Sequence, residues 1–497
     1  MSTNGMAMTD DRGPRAAAAL ASSPAGQTRA SSIASPHGVV SLEEAEHLLD
    51  VASDPKKRET FIPIARFALM DRLTAPEVWP AGKAADARRF FRYLDYWRHQ
   101  QYTSRILELE QSYEAFSPDS DLLQTRKYTE ADRKRMQRRV VEGMEHLLQQ
   151  ANFRRISTED VSQILTRESH YGLDLHVDFS VFEEVLIYFR GASSRRDQRR
   201  RWQKFMRKEQ FDVPIFQRLF LLFKLKPFEA HVREVMEKQR LSHQEAKKIV
   251  TNLRQPLPPG VRETDIYMKL FKNIPRSDLE MIFPNTRVKF RMMDKLKLGA
   301  TSSVGLGMGV ASSAGKLALI FSNPLGAATA VAGLGAVIGR QVVGFMNQKQ
   351  RYMVVMAQNL YFHSMADNRG VMIKIADRAA EEDVKEEMLL YAVLAKERAR
   401  KSDLPAIDRA IEQYLSAVFD VSVDFDLTDA LKRLVHDGLV RIEADGTLTT
   451  LPPREAALHL DHLWDKFLDE LPDPARGEGK EINGDGMVAP SMTVGGY

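Results

Sequence analysis

Residues 298–339 read LGATSSVGLGMGVASSAGKLALIFSNPLGAATAVAGLGAVIG, 42 positions holding one charge, Lys316. A membrane helix needs about 20 mainly apolar residues, so the length predicts two short spans joined as a transmembrane hairpin. Arg287, Lys289, Arg291, Lys295 and Lys297 precede the stretch, and Arg340, Lys349 and Arg351 follow it. Positive charge at both ends places both on the cytoplasmic side, which an even number of spans satisfies. The tip then falls near Ser322-Asn323-Pro324. A single span over 317–339 is the alternative, because the first half is mostly Gly, Ala and Ser and only marginally hydrophobic. Gly305 with Gly309, and Gly335 with Gly339, have the GxxxG spacing that lets helices approach closely, within one hairpin or between copies in a homo-oligomer. Lys316 is placed to snorkel to the far interface, or to line an ion pathway. GVASSAGKL at 309–317 is not a phosphate-binding loop, because five residues separate its glycines and Leu317 follows the lysine.

Outward from this stretch the two flanks differ in charge. Residues 381–470 carry 11 basic and 21 acidic side chains, a net of −10, and 471–497 carry two basic and four acidic, which leaves about +16 on the first 380. Residues 1–40, rich in Ala, Ser, Gly and Pro without apolar periodicity, and the tail 471–497 read as disordered termini. No apolar secretory core appears in the first 40; Arg12, Arg15 and Arg29 faintly suggest a transit peptide, against which Asp10 and Asp11 count.

Residues 41–293 read as a basic α+β domain. Ser41 and Glu44 form a capping box, helices follow at 84–99 and 130–150, and then short runs rich in β-branched and aromatic residues appear at 173–179, 182–189, 216–226, 266–271 and 288–292. Between Phe189 and Phe211 the spacing predicts a basic loop: Arg190, Arg195, Arg196, Arg199, Arg200, Arg201, Lys204, Arg207 and Lys208, opposed only by Asp197 and Glu209. A solvated hairpin connection is one reading, contact with anionic lipid headgroups of the bilayer the other. Trp202 and Phe205 are interleaved, but no RNA-binding motif surrounds them.

On the acidic side, 347–470 reads as a helical connector followed by helices at 386–398, 403–418 and 427–438. LVRIEADGTLTTL then gives two strands turning at Ala444-Asp445-Gly446. Three helices and a ribbon are winged-helix order, a fold that often binds DNA. Lys432 and Arg433 are the only cations on the third helix, against Asp426, Asp429 and Asp437, and the net negative charge repels phosphates. The reading is protein docking rather than nucleic acid, with those three aspartates on the exposed face and the basic domain as one partner.

Chemistry is sparse. The chain has no cysteine, which excludes disulfides, thiolate metal sites and cysteine nucleophiles. His170, Asp174, His176 and Asp178 crowd together, the last three alternating as on one strand face, which suits either a divalent metal or a polar outward edge. His459 and His462 flank Asp461 with a weaker pattern of the same kind. No GxSxG, HExxH or nucleotide fingerprint is present.

The run LFKNIPRSDLEMIFPNTRVKF at 270–290 supplies a signature of basic residue, Ile-Pro, Asp-Leu-Glu and Phe-Pro, carried by Lys272, Ile274, Pro275, Asp278, Leu279, Glu280, Phe283 and Pro284. With Tyr188-Phe189-Arg190-Gly191 and the Gly-rich stretch, it resembles the transmembrane protein 143 family, membrane proteins built on a domain of unknown function with bacterial, plant and mitochondrial members. The resemblance covers about 170–400 and implies no catalytic residue. Asp278 and Glu280 between Pro275 and Pro284 read as a structural corner, with acid–base work as the alternative.

The expectation is therefore an α+β membrane protein with five parts: 1–40 disordered, 41–293 basic α+β, 294–346 transmembrane hairpin, 347–470 connector and winged-helix-like module, 471–497 disordered. Its expected location is a bacterial cytoplasmic membrane, both soluble regions inside, with the mitochondrial inner membrane as alternative. The expected function is a non-catalytic scaffold with an unidentified protein partner, with no cofactor, metal or catalytic residue assigned. The alternatives are an oligomeric channel or transporter component and a membrane-associated enzyme.

Overall fold

A computed structural model of the 497-residue chain describes residues 58–80, 82–122, 126–167, 173–200, 208–285, 287–290, 354, 360–471 and 479–481. All belong to one unit, Val39–Tyr497.

The N-terminal part is helical. Helix α1 (Arg66–Leu73) precedes the 31-residue α2 (Lys83–Tyr113), and β1 (Arg126–Lys127) leads into α3 (Glu130–Gln150). Thr129 and Asp132 close a capping box at the start of α3, satisfying two backbone donors that a helix end leaves open. Then come β2 (Arg154–Arg155), α4 (Thr158–Arg167) and β3 (Leu173–His176).

The central ribbon is β4 (Phe182–Arg200) paired with β5 (Lys208–Leu225). Helices α5 (Phe228–Gln239) and α6 (His243–Arg254) pack on each other through Val232, Val235, Ala246 and Val250 before β6 (Ile266–Pro275) returns to the sheet. With β8 (Ser364–Asp367) the order is β2-β4-β5-β6-β8, antiparallel throughout, and β7 (Arg287–Phe290) pairs separately with β3.

Period-2 alternation divides the sheet between two cores. Phe220, Leu222, Met268 and Leu270 face α2 and α3, while Leu219, Leu221, Phe223 and Phe271 face the other way, onto Val161, Ile164 and Leu279. Burial on both faces explains why these strands are near-continuous apolar runs.

The 26-residue α7 (Arg369–Leu394) starts at Asn368, whose left-handed φ of 47° suits Asn better than most residues. Asn368 fastens that start to β6 by exchanging bonds with Met268, from its backbone N–H to the Met268 carbonyl at 2.7 Å and from the Met268 N–H to its Oδ1 at 3.0 Å. After α7 come β9 (Ala399–Arg400), α8 (Leu404–Phe419), α9 (Leu427–His436), β10 (Val440–Ile442), β11 (Thr447–Thr450) and α10 (Pro453–Phe467), with sheet order β10-β11-β9. Gly446, at φ 81°, makes the turn between β10 and β11, where the Asp445 carboxylate accepts from Thr447 N–H. Strand β12 (Lys480–Glu481) pairs with β1.

Three findings correct the sequence reading. Among the described residues no helix is long and apolar enough to cross a membrane, and α2 and α7, though long, are dense in charge. The fold is a mixed α+β arrangement with an antiparallel sheet. The expected transmembrane-hairpin architecture, and with it a seat in a bacterial cytoplasmic or mitochondrial inner membrane, is corrected on that finding. Residues 294–346, with Gly305, Gly309, Lys316, Gly335 and Gly339, lie outside the described residues, as do Ser41 and both termini. The stretch satisfies a count of uncharged positions, but Gly, Ala and Ser supply little of the transfer free energy that lipid insertion requires.

The basic run, secondly, is mostly strand. The ladder continues from Arg195↔Val213 through Arg196↔Asp212 and Arg199↔Glu209 to Arg200↔Lys208, so Arg190, Arg195, Arg196, Arg199 and Arg200 lie on β4 and Lys208 starts β5. Backbone pairing in a two-stranded ribbon does not require apolar side chains, and charge density therefore misplaced the loop. Arg201, Lys204 and Arg207 lie outside the described residues. Thirdly, the N-terminal helices and the C-terminal module share a core: Ile62, Leu69, Phe90, Phe91 and Leu94 are buried with Leu415, Leu434, Leu448 and Leu460. Glu59 also bridges Val423 in parallel.

Candidate functional site

Helix α7 runs through both cores, its first half under the sheet and its second half inside the C-terminal module. At the junction its sequence is EEDVKEE, residues 381–387. Helical spacing puts Glu382 with Lys385 and Glu386, and Asp383 with Glu386 and Glu387, on neighbouring turns. Glu382, Asp383, Lys385, Glu386 and Glu387 are all buried. Buried charges demand partners, and three distant segments supply them. Arg98 of α2 donates from Nε to Glu387 at 2.9 Å and holds Asp437 in an ion pair at 2.7 Å. Arg433 of α9 reaches Asp383 at 3.2 Å, Glu386 at 2.5 Å and Glu387 at 2.8 Å. Arg190 of β4 pairs with Glu382 at 2.7 Å, and Lys385 bridges Glu382 at 2.8 Å and the Ile62 carbonyl at 2.6 Å. Tyr102 donates to Asp383 at 2.8 Å and Trp97 Nε1 to Asp437 at 2.9 Å.

Four cations here meet five carboxylates. Burial pushes the Glu386 carboxyl up to about 8 against the pull of Arg433, so it keeps its proton at neutral pH and the remaining charges balance. Burial also raises Asp383 and Glu387, with Arg433 and Arg98 opposing. The arrangement is a closed electrostatic clasp that fixes α7 against α2, α9 and β4.

A cavity of about 350 Å³ opens beside the clasp, between the 61–65 segment, the sheet and the first half of α7. Arg190, Arg218, Lys374, Arg378 and Lys385 line it, against only Asp377 and Glu381. The Phe61 ring lies 4.1 Å from the Arg190 guanidinium. A second cavity, between α2 and α7, is more apolar, with Ile106, Leu107, Ile373 and Ala376 in its walls and His99 and Asp377 at its edge. Hydrogen bonds to Asp377 and Asp95 hold the His99 imidazole up at about 9.

The sequence-selected residues fall in different places. Ile274 and Pro275 end β6; Asp278, Leu279 and Glu280 lie in the 3₁₀ segment Arg276–Ile282, and Phe283 and Pro284 follow. Ile274, Leu279 and Phe283 are buried against the sheet while Lys272 is exposed. These eight therefore form a corner that turns the chain back onto the β-sheet. Arg190, expected in a basic surface loop, is buried on Glu382. Asp178 caps a short 3₁₀ turn by accepting from Ser180 N–H at 3.0 Å; Asp174 and His176 lie on β3, and His170 lies outside the described residues. No group of three metal-ligating residues is found among the described residues. His459 Nε2 meets the Asp437 carbonyl at 2.8 Å, and His462 is exposed.

Asp437, expected on the exposed face of the third helix, is only 5 % exposed; Trp97 and Arg98 cover it because α2 packs where a free module would meet water. Sequence reasoning missed Arg98, Arg218, Lys374, Arg378 and the acids of α7, and read Arg433 as a cation of the third helix rather than as the partner of those acids. The available signal was EEDVKEE between the amphipathic run 371–380 and the apolar run 388–394, since charge interrupting a buried helix asks for internal partners.

Residues 182–370, less than half of the chain, match the model of a family described as a protein of unknown function, DUF3754. The span takes in β4, β5, β6, the 270–290 corner and Arg190 and Arg218, and stops just as α7 begins. No solved structure matches the chain.

Proposed function

We propose that this chain is a non-catalytic interaction protein whose acidic C-terminal module, held rigidly by the α7 clasp, presents a surface to a protein partner and not to nucleic acid. One observation carries the reading. Arg433, one of only two cations on α9, is turned inward onto Asp383, Glu386 and Glu387. The other, Lys432, is engaged by Asp429 at 2.9 Å. The helix that a winged-helix protein would lay in the major groove thus keeps a single exposed cation, Lys432, paired with Asp429, and the ribbon turn carries Asp445. An apolar patch remains at the end of α10, where Trp464 (44 % exposed) on the last turn and Leu468 (70 %) just after it lie one helical turn apart, with Leu471 exposed three residues further on. Exposed aromatic and aliphatic anchors of this kind are what protein interfaces bury.

The test has two arms, both with the full chain. Binding to a labelled DNA duplex at physiological salt should be no tighter than non-specific; tight duplex binding overturns the proposal. Crosslinking in native extract, read by mass spectrometry, should give a partner that Trp464→Glu with Leu468→Glu removes and Lys247→Gln on α6 does not. Partners indifferent to the α10 patch would sink the surface assignment.

A further inference from the structure

The cavity beside the clasp is charged in a way the fold itself does not require. Arg218 donates to the neighbouring Gln217 carbonyl at 2.7 Å and forms no ion pair with any described residue, nor does Lys374. Arg378 pairs with Glu381 on its own helix. Asp377, the other carboxylate of the lining, is engaged by His99 at 3.5 Å. Arg190 and Lys385 are already engaged by Glu382 in the clasp, so Arg218, Lys374 and Arg378 face Asp377 and Glu381, a surplus of about one positive charge where like charges repel. That repulsion is felt locally: burial, and next the Arg378 charge, hold Arg218 below the usual arginine range. The Arg190 Nε is buried without an acceptor among the described residues, a polar group left unsatisfied at the edge of the cavity. Half of the wall is apolar, from Phe61, Ile62, Ile64, Leu270 and Ile375.

We propose that this cavity binds a phosphate monoester no larger than a mononucleotide, with Arg218, Arg378 and Lys374 taking the phosphate and the Phe61–Ile64 wall taking the organic part. A monoester carries about −1.5 to −2 at neutral pH, enough to offset that surplus, and two guanidinium forks suit its several oxygens better than one carboxylate. The volume lies at the lower end of small-molecule sites, which limits the ligand to a compact one. The site is independent of the α10 surface, so either proposal can fail alone.

Calorimetric titration of the full chain with AMP, glucose 6-phosphate and inorganic phosphate, with citrate as the carboxylate control, tests it. At least one monoester should bind one to one and be displaced by inorganic phosphate. Arg218→Gln and Arg378→Gln should each weaken it about tenfold or more. Lys374→Gln, at an exposed side chain without an ion pair, should weaken binding while leaving the melting temperature unchanged, so that loss of binding is not loss of fold. The proposal is overturned if no monoester binds at millimolar concentration, if citrate binds as tightly, or if all three variants bind as the parent does.

Discussion

Replacing Arg98 with methionine isolates the clasp. Met covers much of the space of the arginine stem while deleting the guanidinium. Glu387 would keep Arg433 at 2.8 Å, but Asp437, whose side chain is 2 % exposed, would retain only Trp97 Nε1 at 2.9 Å and the exposed His436 at 3.0 Å. One buried carboxylate is then left without a full counter-charge, which costs about 3–5 kcal/mol. At about 2 °C per kcal/mol for a chain of this size, the melting temperature should fall by roughly 6–10 °C. Urea titration followed by far-UV circular dichroism measures the loss directly. The second variant is Arg98→Met with Asp437→Asn, which removes the stranded charge and keeps an acceptor for Trp97; the deficit should shrink to about 1–2 kcal/mol, near the worth of a lost hydrogen bond. The reasoning fails if Arg98→Met costs less than about 1 kcal/mol, or if adding Asp437→Asn recovers nothing.

The remaining predictions concern proton linkage and the corner. Glu386, raised to about 8 from an ordinary 4.5, keeps a proton in the folded chain that the unfolded chain has released, so its contribution falls as pH rises from about 4.5 through about 8. Glu386→Gln should flatten that part of the stability–pH curve by up to about 1.4 kcal/mol per pH unit, and identical slopes for parent and variant would refute the assignment. His99, raised from 6.5 to about 9, has stability present below 6.5 that is lost as pH rises through about 9; His99→Gln should remove a decline confined to that window, read by thermal melts from pH 6 to 10. Leu279 is fully buried in the 270–290 corner, and Leu279→Ala should cost about 2–5 kcal/mol in urea titration, whereas Lys272→Ala at an exposed position should stay within about 0.5 kcal/mol; equal effects would mean that the corner is not a packing device.

Legibility from the sequence followed physical range. Local signals read well: the helix at 130–150 carries its own capping box, and the β5 run FQRLFLLFKL at 216–225 announces a strand buried on both faces. Extents read poorly, because β4 continues through Arg195–Arg200 on backbone pairing that side-chain composition does not reveal. Among the residues of the site, the 270–290 motif was visible as a pattern, but Leu279 and Phe283 pack the corner and do no chemistry. The cavity was not visible at all. Phe61, Arg190, Arg218 and Arg378 converge from four separate segments, and no periodicity within one segment encodes their meeting.

The reading of charge shows why composition misled. Dividing the chain at residue 380 gave a basic half and an acidic half, which implied two bodies attracted across solvent. In the fold that attraction is internal, since Arg98 and Arg190 from the basic half and Lys385 and Arg433 from the acidic half neutralise the α7 acids within a closed interior. Screening over about 8 Å of physiological salt solution cannot reach such pairs, whereas it would weaken a docking surface. Apolar packing already opposes a slide of α7 between the two cores, because Met372 and Ile375 below the junction and Met388 and Tyr391 above it are large and dissimilar, with the Tyr391 ring against Phe90 and Phe91. A shift of one turn would bring each acid opposite the wrong cation and leave charges buried without partners. The clasp therefore reinforces the register that apolar packing sets, the use for which buried ionic groups are best attested. The same register sets Lys374 and Arg378, two turns or fewer before the clasp, opposite Arg218 on β5, so the geometry of the cavity depends on the clasp that borders it.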